Sequence, residues 1–507
     1  MQMTSPTSLM SEKARGPVAA GALTVLLVFA SDLLLFDVEP GINLFIAAML
    51  ISIALTLFAT RRERFGRGVL GVATTLVFAL PLIEAPSLLG LALAGLALAL
   101  AALMVMRLVP CRLEQLPTTV MRFLLPAPIT LARDAASLGR VARQHSWQAS
   151  IRGLFAWIMP LGLGLVFVLL FAAANPLIEI ALATLRVDSA LNLLNPVRVV
   201  FWLIMAAGIW ALLRPKLLRW QKIRRETSLF APREAAWFGH AAVIRSLAIF
   251  NALFAIETAL DLAFLWGGME LPTGMSHAEY AHRGAYPLVF TALLAGAFVL
   301  VAMRSDGPGQ KSRLIRALVY AFIAQNVLLC LSAMLRLKLY VEVYSLTELR
   351  LAAGIWMGLV AAGLVFISLR IWWRKSNTWL VALNVVALVF VLYGAALVDF
   401  SAVIARFNVE HSLEVSGQGL ALDFDYLEEL GSTAIPALDV FIASLGPKQA
   451  AWEKAHHLRA KLDHDFRRPS PEWRSWSWRA HRLAEYLTLD PVAYVHSTLQ
   501  NNGLMPR

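Results

Sequence analysis

The strongest constraint on this chain is a succession of apolar runs, each close to the length a helix needs to cross a bilayer. A hydrocarbon core of about 30 Å is crossed by about 20 residues at about 1.5 Å per residue. Eleven such runs are read, at 18–36, 41–59, 68–84, 88–108, 153–174, 197–213, 241–266, 286–303, 314–335, 349–373 and 378–399. Lipid offers no hydrogen-bond partners to a backbone, so runs of this kind must close their own hydrogen bonds as helices. The predicted fold class is all-α: a polytopic helical membrane protein of about eleven transmembrane helices, with a small C-terminal helical extramembrane domain. Pro81 and Glu84 interrupt the third run, and Pro86 predicts a tight hairpin into the fourth. Lys13 and Arg15 precede the first run as they would in a secretory signal, but the run is long, contains Asp32 and is followed by no small-residue cleavage site. It is therefore read as a mature helix.

Composition agrees with a membrane protein. Of the 507 residues 59% are hydrophobic and 15% charged, whereas soluble domains carry about 25% charged residues. That excludes a soluble enzyme, a disordered chain, a disulfide-rich secreted domain and a coiled coil. The net charge of +12 does not point to nucleic acid, because the cations sit in loops between apolar runs. Clusters such as Arg61, Arg62, Arg64 and Arg67, or Arg214, Lys216, Arg219, Lys222, Arg224 and Arg225, follow even-numbered runs; Arg304, Lys311 and Arg313, and then Arg374 and Lys375, repeat the pattern. The Lys/Arg bias of short loops places those loops in the cytoplasm. The amino terminus is then cytoplasmic and, with an odd span count, the carboxyl terminus periplasmic. The basic loops are expected to meet anionic lipid headgroups. Cys111 and Cys330, one in a basic loop and one in an apolar run, predict neither a structural disulfide nor a metal cluster.

Three regions follow: 1–152, four helices and a basic cytoplasmic loop; 153–399, a membrane core of about seven helices; and 400–507, a helical periplasmic domain. In the loop 113–152, Leu131 to Trp147 reads either as an interfacial helix or as a solvated basic linker. Residues 177–194 pattern as a short outer amphipathic segment. Beyond Asp399 helical patterns are expected at Phe424–Leu430, Pro436–Leu445, Lys448–Asp465 and Trp473–Leu487, with an apolar stripe at Leu438, Phe441, Ile442 and Leu445.

The stretch RLKLYVEVYSLTELR at 336–350, the pair Gln325 and Asn326, HRGAYP at 282–287, IARFNVEHS at 404–412 and LDFDYLEELG at 422–431 together resemble a bacterial family of multi-pass membrane proteins known only as a domain of unknown function. The resemblance runs from about residue 150 to 480, and the first four runs carry little of it. It implies a bacterial inner-membrane location and the multi-pass architecture. It implies no catalytic residue, because the family has no assigned activity.

Ionisable groups at bilayer depth cost roughly 2.5–3.5 kcal/mol on insertion scales and normally face protein or water. The seventh run holds Arg245, Glu257 and Asp261; the two carboxylates are four apart and share a helix face. Such a pair requires a compensating cation in a low dielectric, and Arg336 and Arg350 are the candidates. With Gln325 and Asn326 in the ninth run, Glu257 and Asp261 form a candidate polar membrane site, an ion or proton site on one reading and a helix-to-helix clamp on the other. Asn251 and Asn384 are candidate partners of the two amides. Asp32 is read as a rim carboxylate.

The densest outer polar set is Arg336, Tyr340, Glu342, Tyr344, Thr347, Glu348 and Arg350, with Lys338, a candidate ligand or clamp site. Its period-two alternation predicts an extended link before the tenth run, with Ser345 or Thr347 as N-cap and Glu348 in the first turn. Its arginines are expected to pair bidentately with Glu342, Glu348 or Asp261. His411, His456, His457, His464, His481 and His496 lack zinc-site spacing, so no metal and no cofactor is expected. The Arg/Trp-rich stretch 467–482 suits lipid headgroups, a partner, or packing against the membrane part. Without a recognisable catalytic motif the leading expectation is a non-enzymatic envelope sensor or scaffold, whose partner protein engages residues 400–507. A transporter using Glu257, Asp261, Gln325 and Asn326, and an envelope-modifying enzyme acting on lipid-linked substrate, are the alternatives.

Overall fold

The computed structural model describes residues 6–58, 62–134, 195–218, 240–263, 294, 298, 312–445, 449–468 and 472–488. Among them every regular element is a helix, with no strand. The chain forms two compact units: one holds residues 1–111, 116–220 and 472–477, the other 112–115, 221–471 and 478–507. Among the described residues seven helices are long and apolar enough to cross a membrane, and Ala19–Leu35, Ile42–Phe58 and Ser432–Ser444 are shorter apolar helices. Nine of the eleven expected spans thus fall on helices. The spans at 153–174 and 286–303, the segment 177–194, and most of Leu131–Trp147 lie outside the described residues.

The first unit contains α1 (Pro6–Leu35), α2 (Ile42–Phe58), α3 (Arg62–Ala79), α4 (Pro81–Glu84), α5 (Leu88–Val105), α6 (Leu116–Leu124) and α7 (Pro196–Leu213). The expected interruption of the third span is real. Pro81 opens α4 at its first turn, where a missing N–H costs least. After the tight turn, Ser87 caps α5 by accepting a hydrogen bond from Gly90 N at 3.0 Å. Small residues let these helices approach closely: a Cβ on Gly68 would sit 2.3 Å from Thr56 Cγ2, and one on Gly71 3.0 Å from Ala101 Cβ. Ser52 and Thr75 share a buried hydrogen bond of 3.0 Å between α2 and α3.

Two carboxylates hold this unit together. Asp32 is not a rim group: it is 4% exposed, pairs bidentately with Arg198 of α7, and accepts from Trp202 Nε1 at 2.8 Å. The Arg198 guanidinium also lies over the Phe36 ring at 4.8 Å. A carboxylate one turn from a helix end reads as solvated until its partner is known, and that partner lies 166 positions away. Asp134 meets Lys216, Arg214 and Trp210. Burial alone would raise its carboxyl pKa, but the Lys216 and Trp210 hydrogen bonds and the two nearby cations outweigh that and hold it below the usual 3.8. Residues 472–477 also pack here. Trp476 O accepts from Ile42 N at 2.8 Å, Arg474 donates to Leu33 O at 2.7 Å, and a Cβ on Gly41 would lie 2.3 Å from the Ser475 carbonyl carbon. This part of the Arg/Trp-rich stretch therefore packs against membrane helices.

The second unit contains α8 (His240–Asp261), α9 (Arg313–Tyr344), α10 (Glu348–Trp372) and α11 (Asn377–Leu397). Its core is Val243, Leu247, Ile315, Val319, Phe322, Ile323, Cys330, Leu364, Ile367 and Leu380. Phe322 meets Phe250 at 5.8 Å and Phe254 at 5.0 Å, which sets the register of α8 on α9. The same unit continues into α12 (Phe400–Glu410), α13 (Leu413–Ser416), α14 (Phe424–Glu429), α15 (Ile435–Ser444), α16 (Ala450–Arg467) and α17 (Trp478–Thr488). Leu438 and Phe441 of the expected stripe are fully buried, against Ile404, Leu427, Leu458 and Leu462. Inside this core Asp439 is bracketed by Arg459 Nε at 2.9 Å and the Tyr486 hydroxyl at 3.0 Å.

Asp32→Ala should cost about 3 kcal/mol or more, because it strands a guanidinium, while Asp32→Ala with Arg198→Leu should recover most of the loss. Melting temperatures in detergent check both. The Asp134 tie should persist down to the ordinary carboxylate pKa of 3.8 and vanish only as pH falls through the lowered folded value. The stability difference between the native chain and Asp134→Asn, followed against pH, measures this.

Candidate functional site

The expected carboxylates and arginine meet between α8 and α9. Glu257 and Asp261 fall on one face of α8, and Arg336 comes from the second half of α9. Arg336 forms a direct ion pair with Asp261, the two being 2% and 1% exposed, and its guanidinium lies 3.5 Å from Glu257. Glu257 is far more open, with 39% of its side chain exposed. Arg336 therefore compensates a carboxylate pair that would otherwise repel, as the spacing requires. Of the two candidate cations, Arg350 does not take part.

The link carrying Arg336 is helical, not extended. α9 runs unbroken to Tyr344, and its buried positions Leu329, Ala333, Arg336 and Val341 repeat at helical spacing. The period-two pattern arises because Leu339 and Val343 lie off the buried stripe. Ser345, at φ 69°, turns the chain, and Thr347 caps α10 by accepting from Arg350 N at 3.4 Å, with Glu348 in the first turn as expected. Among the described residues Arg350 binds no carboxylate. Its Nη1 donates to Tyr344 O at 2.6 Å and to Ser345 O, tying down carbonyls left open at the end of α9. Its guanidinium lies 4.7 Å from the Tyr340 ring, which in turn stacks on Tyr344 at 4.8 Å. Glu342 pairs with Lys338 at 3.7 Å, both exposed.

The extramembrane helices hold this turn. Asn408 of α12 brackets Leu346, its Oδ1 accepting from Leu346 N at 2.7 Å and its Nδ2 donating to Leu346 O at 3.0 Å. The Tyr426 hydroxyl accepts from Glu348 N at 3.0 Å. Burial raises the Tyr426 pKa above 10.0, so the phenol stays protonated through neutral pH. Leu346 and Leu351 pack on the core of the helical domain. Sequence reasoning missed Asn408, although it sits inside the IARFNVEHS stretch.

The amides are spread over more than one helix contact, Asn251 reaching from α8 to α9 and Asn384 lying against α10. Asn326 is 1% exposed and donates to Phe322 O at 2.7 Å within its own helix. Asn251 donates to Leu247 O at 2.7 Å and across to Leu318 O at 3.2 Å, so it reaches a backbone carbonyl of α9 and not the Gln325/Asn326 pair. Asn384 donates to Leu380 O at 2.9 Å, and its Oδ1 would lie 3.0 Å from a Cβ on Gly363. Asn251 Oδ1, Thr258 Oγ1, Gln325 Oε1 and Asn326 Oδ1 are buried without a hydrogen-bond partner. Buried oxygens of this kind are places for a water or a cation. Three of the histidines lie against aromatic neighbours: His411 stacks on Phe407 at 4.0 Å, while His456 and His481 are tilted against Trp452 at 4.0 Å and Trp478 at 5.7 Å. Among the described residues no three His, Cys, Asp or Glu side chains gather to hold a metal.

Arg336→Gln should be the most destabilising change in this seam, at about 3–5 kcal/mol, because it leaves two carboxylates uncompensated. Asp261→Asn should cost less and half-exposed Glu257→Gln least. Arg350→Lys should also lower the melting temperature, since an ammonium lacks the guanidinium fork, and Arg350→Gln should lower it further. Thermal unfolding in detergent ranks all six chains, the native one included.

A family model described as "Domain of unknown function (DUF4153)" matches residues 18–440, so the likeness extends over the first four spans as well. No curated protein and no solved structure matches the chain.

Proposed function

We propose that this chain, which belongs to the DUF4153 family of unknown function, is a non-enzymatic protein of the bacterial inner membrane. Its extramembrane helical domain senses or scaffolds another envelope component. The observation that carries the proposal is the bracket of Asn408 on Leu346, which joins that domain to the turn ending the helix of Arg336. A flexibly appended domain would need no such bracket. With it, displacement of α12 acts on the α9–α10 turn and, along an unbroken helix, on the Arg336–Asp261 pair. The Lys/Arg bias of the loops supports a cytoplasmic amino terminus and a periplasmic domain.

Two measurements test this reading. Reporter fusions after Arg64, Arg225 and Lys375 should report cytoplasm, and fusions after Glu270 and Gln449 periplasm; the reverse pattern would remove the domain from the envelope space. In a deletion strain with an envelope-stress phenotype, Asn408→Ala should reach normal membrane levels yet fail to complement. Full complementation by Asn408→Ala would show that the coupling is dispensable.

A transporter is the second reading, favoured by the unpartnered oxygens of Asn251, Thr258, Gln325 and Asn326 beside Glu257 and Asp261. It predicts counterflow in liposomes that disappears in Glu257→Gln and Asp261→Asn. Counterflow unaffected by either change would dismiss it.

A further inference from the structure

At the opposite end of α10 from Arg350 lies a second buried guanidinium. Arg370 is 7% exposed, has no carboxylate partner among the described residues, and its Nε makes no hydrogen bond. A buried arginine without an anion is among the costliest arrangements a membrane helix can hold. No acidic residue occurs in 312–320 or 365–380, while Arg313, Arg316, Arg374 and Lys375 all lie in those stretches. Among the described residues, Glu114 is the acid near this end, and it is engaged by the Ser376 hydroxyl at 2.6 Å.

The turn after α10 is closed by its own backbone. Arg374 takes a left-handed conformation, φ 51°, which folds Lys375 back so that its N–H donates to Arg370 O at 3.0 Å. Beside this turn a cavity of about 570 Å³ is lined by Trp373, Lys375 and Trp379. The two indoles stand nearly perpendicular, 6.0 Å apart. Trp372 and Trp373 are 76% and 55% exposed, as indoles are where headgroups meet acyl chains. We propose that the α10–α11 turn, through Arg370, Lys375, Trp373 and Trp379, binds the phosphate of an anionic phospholipid such as phosphatidylglycerol. The exposed indoles select a lipid over a soluble anion, because they offer an apolar flank to the glycerol and the first acyl carbons.

The full chain in nanodiscs of phosphatidylcholine, with and without phosphatidylglycerol, provides the test. Phosphatidylglycerol should raise the melting temperature of the native chain, whereas inorganic phosphate or glycerol phosphate added to phosphatidylcholine discs should not. Arg370→Leu should melt at or above the native chain in phosphatidylcholine, since it removes an uncompensated charge, and should gain nothing from phosphatidylglycerol. Lys375→Gln, which changes an exposed side chain, should weaken the apparent lipid affinity about fivefold. A native chain that exceeds Arg370→Leu by the same margin in both lipids would make Arg370 structural and overturn the proposal. Unchanged lipid affinity in Lys375→Gln would overturn it too, as would an equal response to inorganic phosphate, which assigns the site to a soluble anion.

Discussion

Charge in a medium that cannot solvate it governs this structure. An ion inside a bilayer must find its counter-charge within the protein, and among the described residues two carboxylates buried in membrane helices have done so across long stretches of chain: Asp32 with Arg198, and Asp261 with Arg336. Each pair joins two helices whose apolar surfaces alone specify no partner, because lipid tails are as apolar as leucine. Dispersion and small-residue contacts, as at Gly68 and Gly71, then bring the backbones close. The ion pairs tie two other contacts, α1 to α7 and α8 to α9.

The helical domain obeys a different rule. Its core of Ile404, Leu427, Leu438 and Phe441 is an ordinary hydrophobic one, and its buried Asp439 is satisfied by Arg459 and Tyr486. At the α9–α10 turn the two regimes meet. Helix ends there leave carbonyls and N–H groups open, and each finds a side chain: Arg350 for the carbonyls of Tyr344 and Ser345, Asn408 for both backbone groups of Leu346, Tyr426 for Glu348 N. The outer polar residues of the sequence are therefore largely a joint.

Span positions were legible because hydrophobic length is a local property, and so were a cap at Ser345 or Thr347, of which Thr347 serves, the stripe around Leu438 and Phe441, and the meeting of Glu257 and Asp261 with a cation. What escaped was non-local or ambiguous. Asp32 looks like a surface group until Arg198 is beside it. Alternation between Arg336 and Tyr344 fits both periods over so few residues, and only the burial of Arg336 decides for the helix. The expected carboxylate partners of Arg350 were displaced by backbone carbonyls, acceptors that every residue carries and no side-chain pattern reveals. Arg370 drew no notice within an apolar run, since a single cation near a helix end reads as a rim residue.

α9 is 32 residues long, about 48 Å at 1.5 Å per residue, against a hydrocarbon core of about 30 Å. Arg313 and Arg316 at one end and Lys338 and Glu342 at the other mark where this helical rod continues past the apolar slab. Its far end is bracketed by Asn408, so the angle of the rod is also the attitude of the helical domain. Any change in the tilt of that rod would be carried through the Asn408 bracket to the helices that hold it.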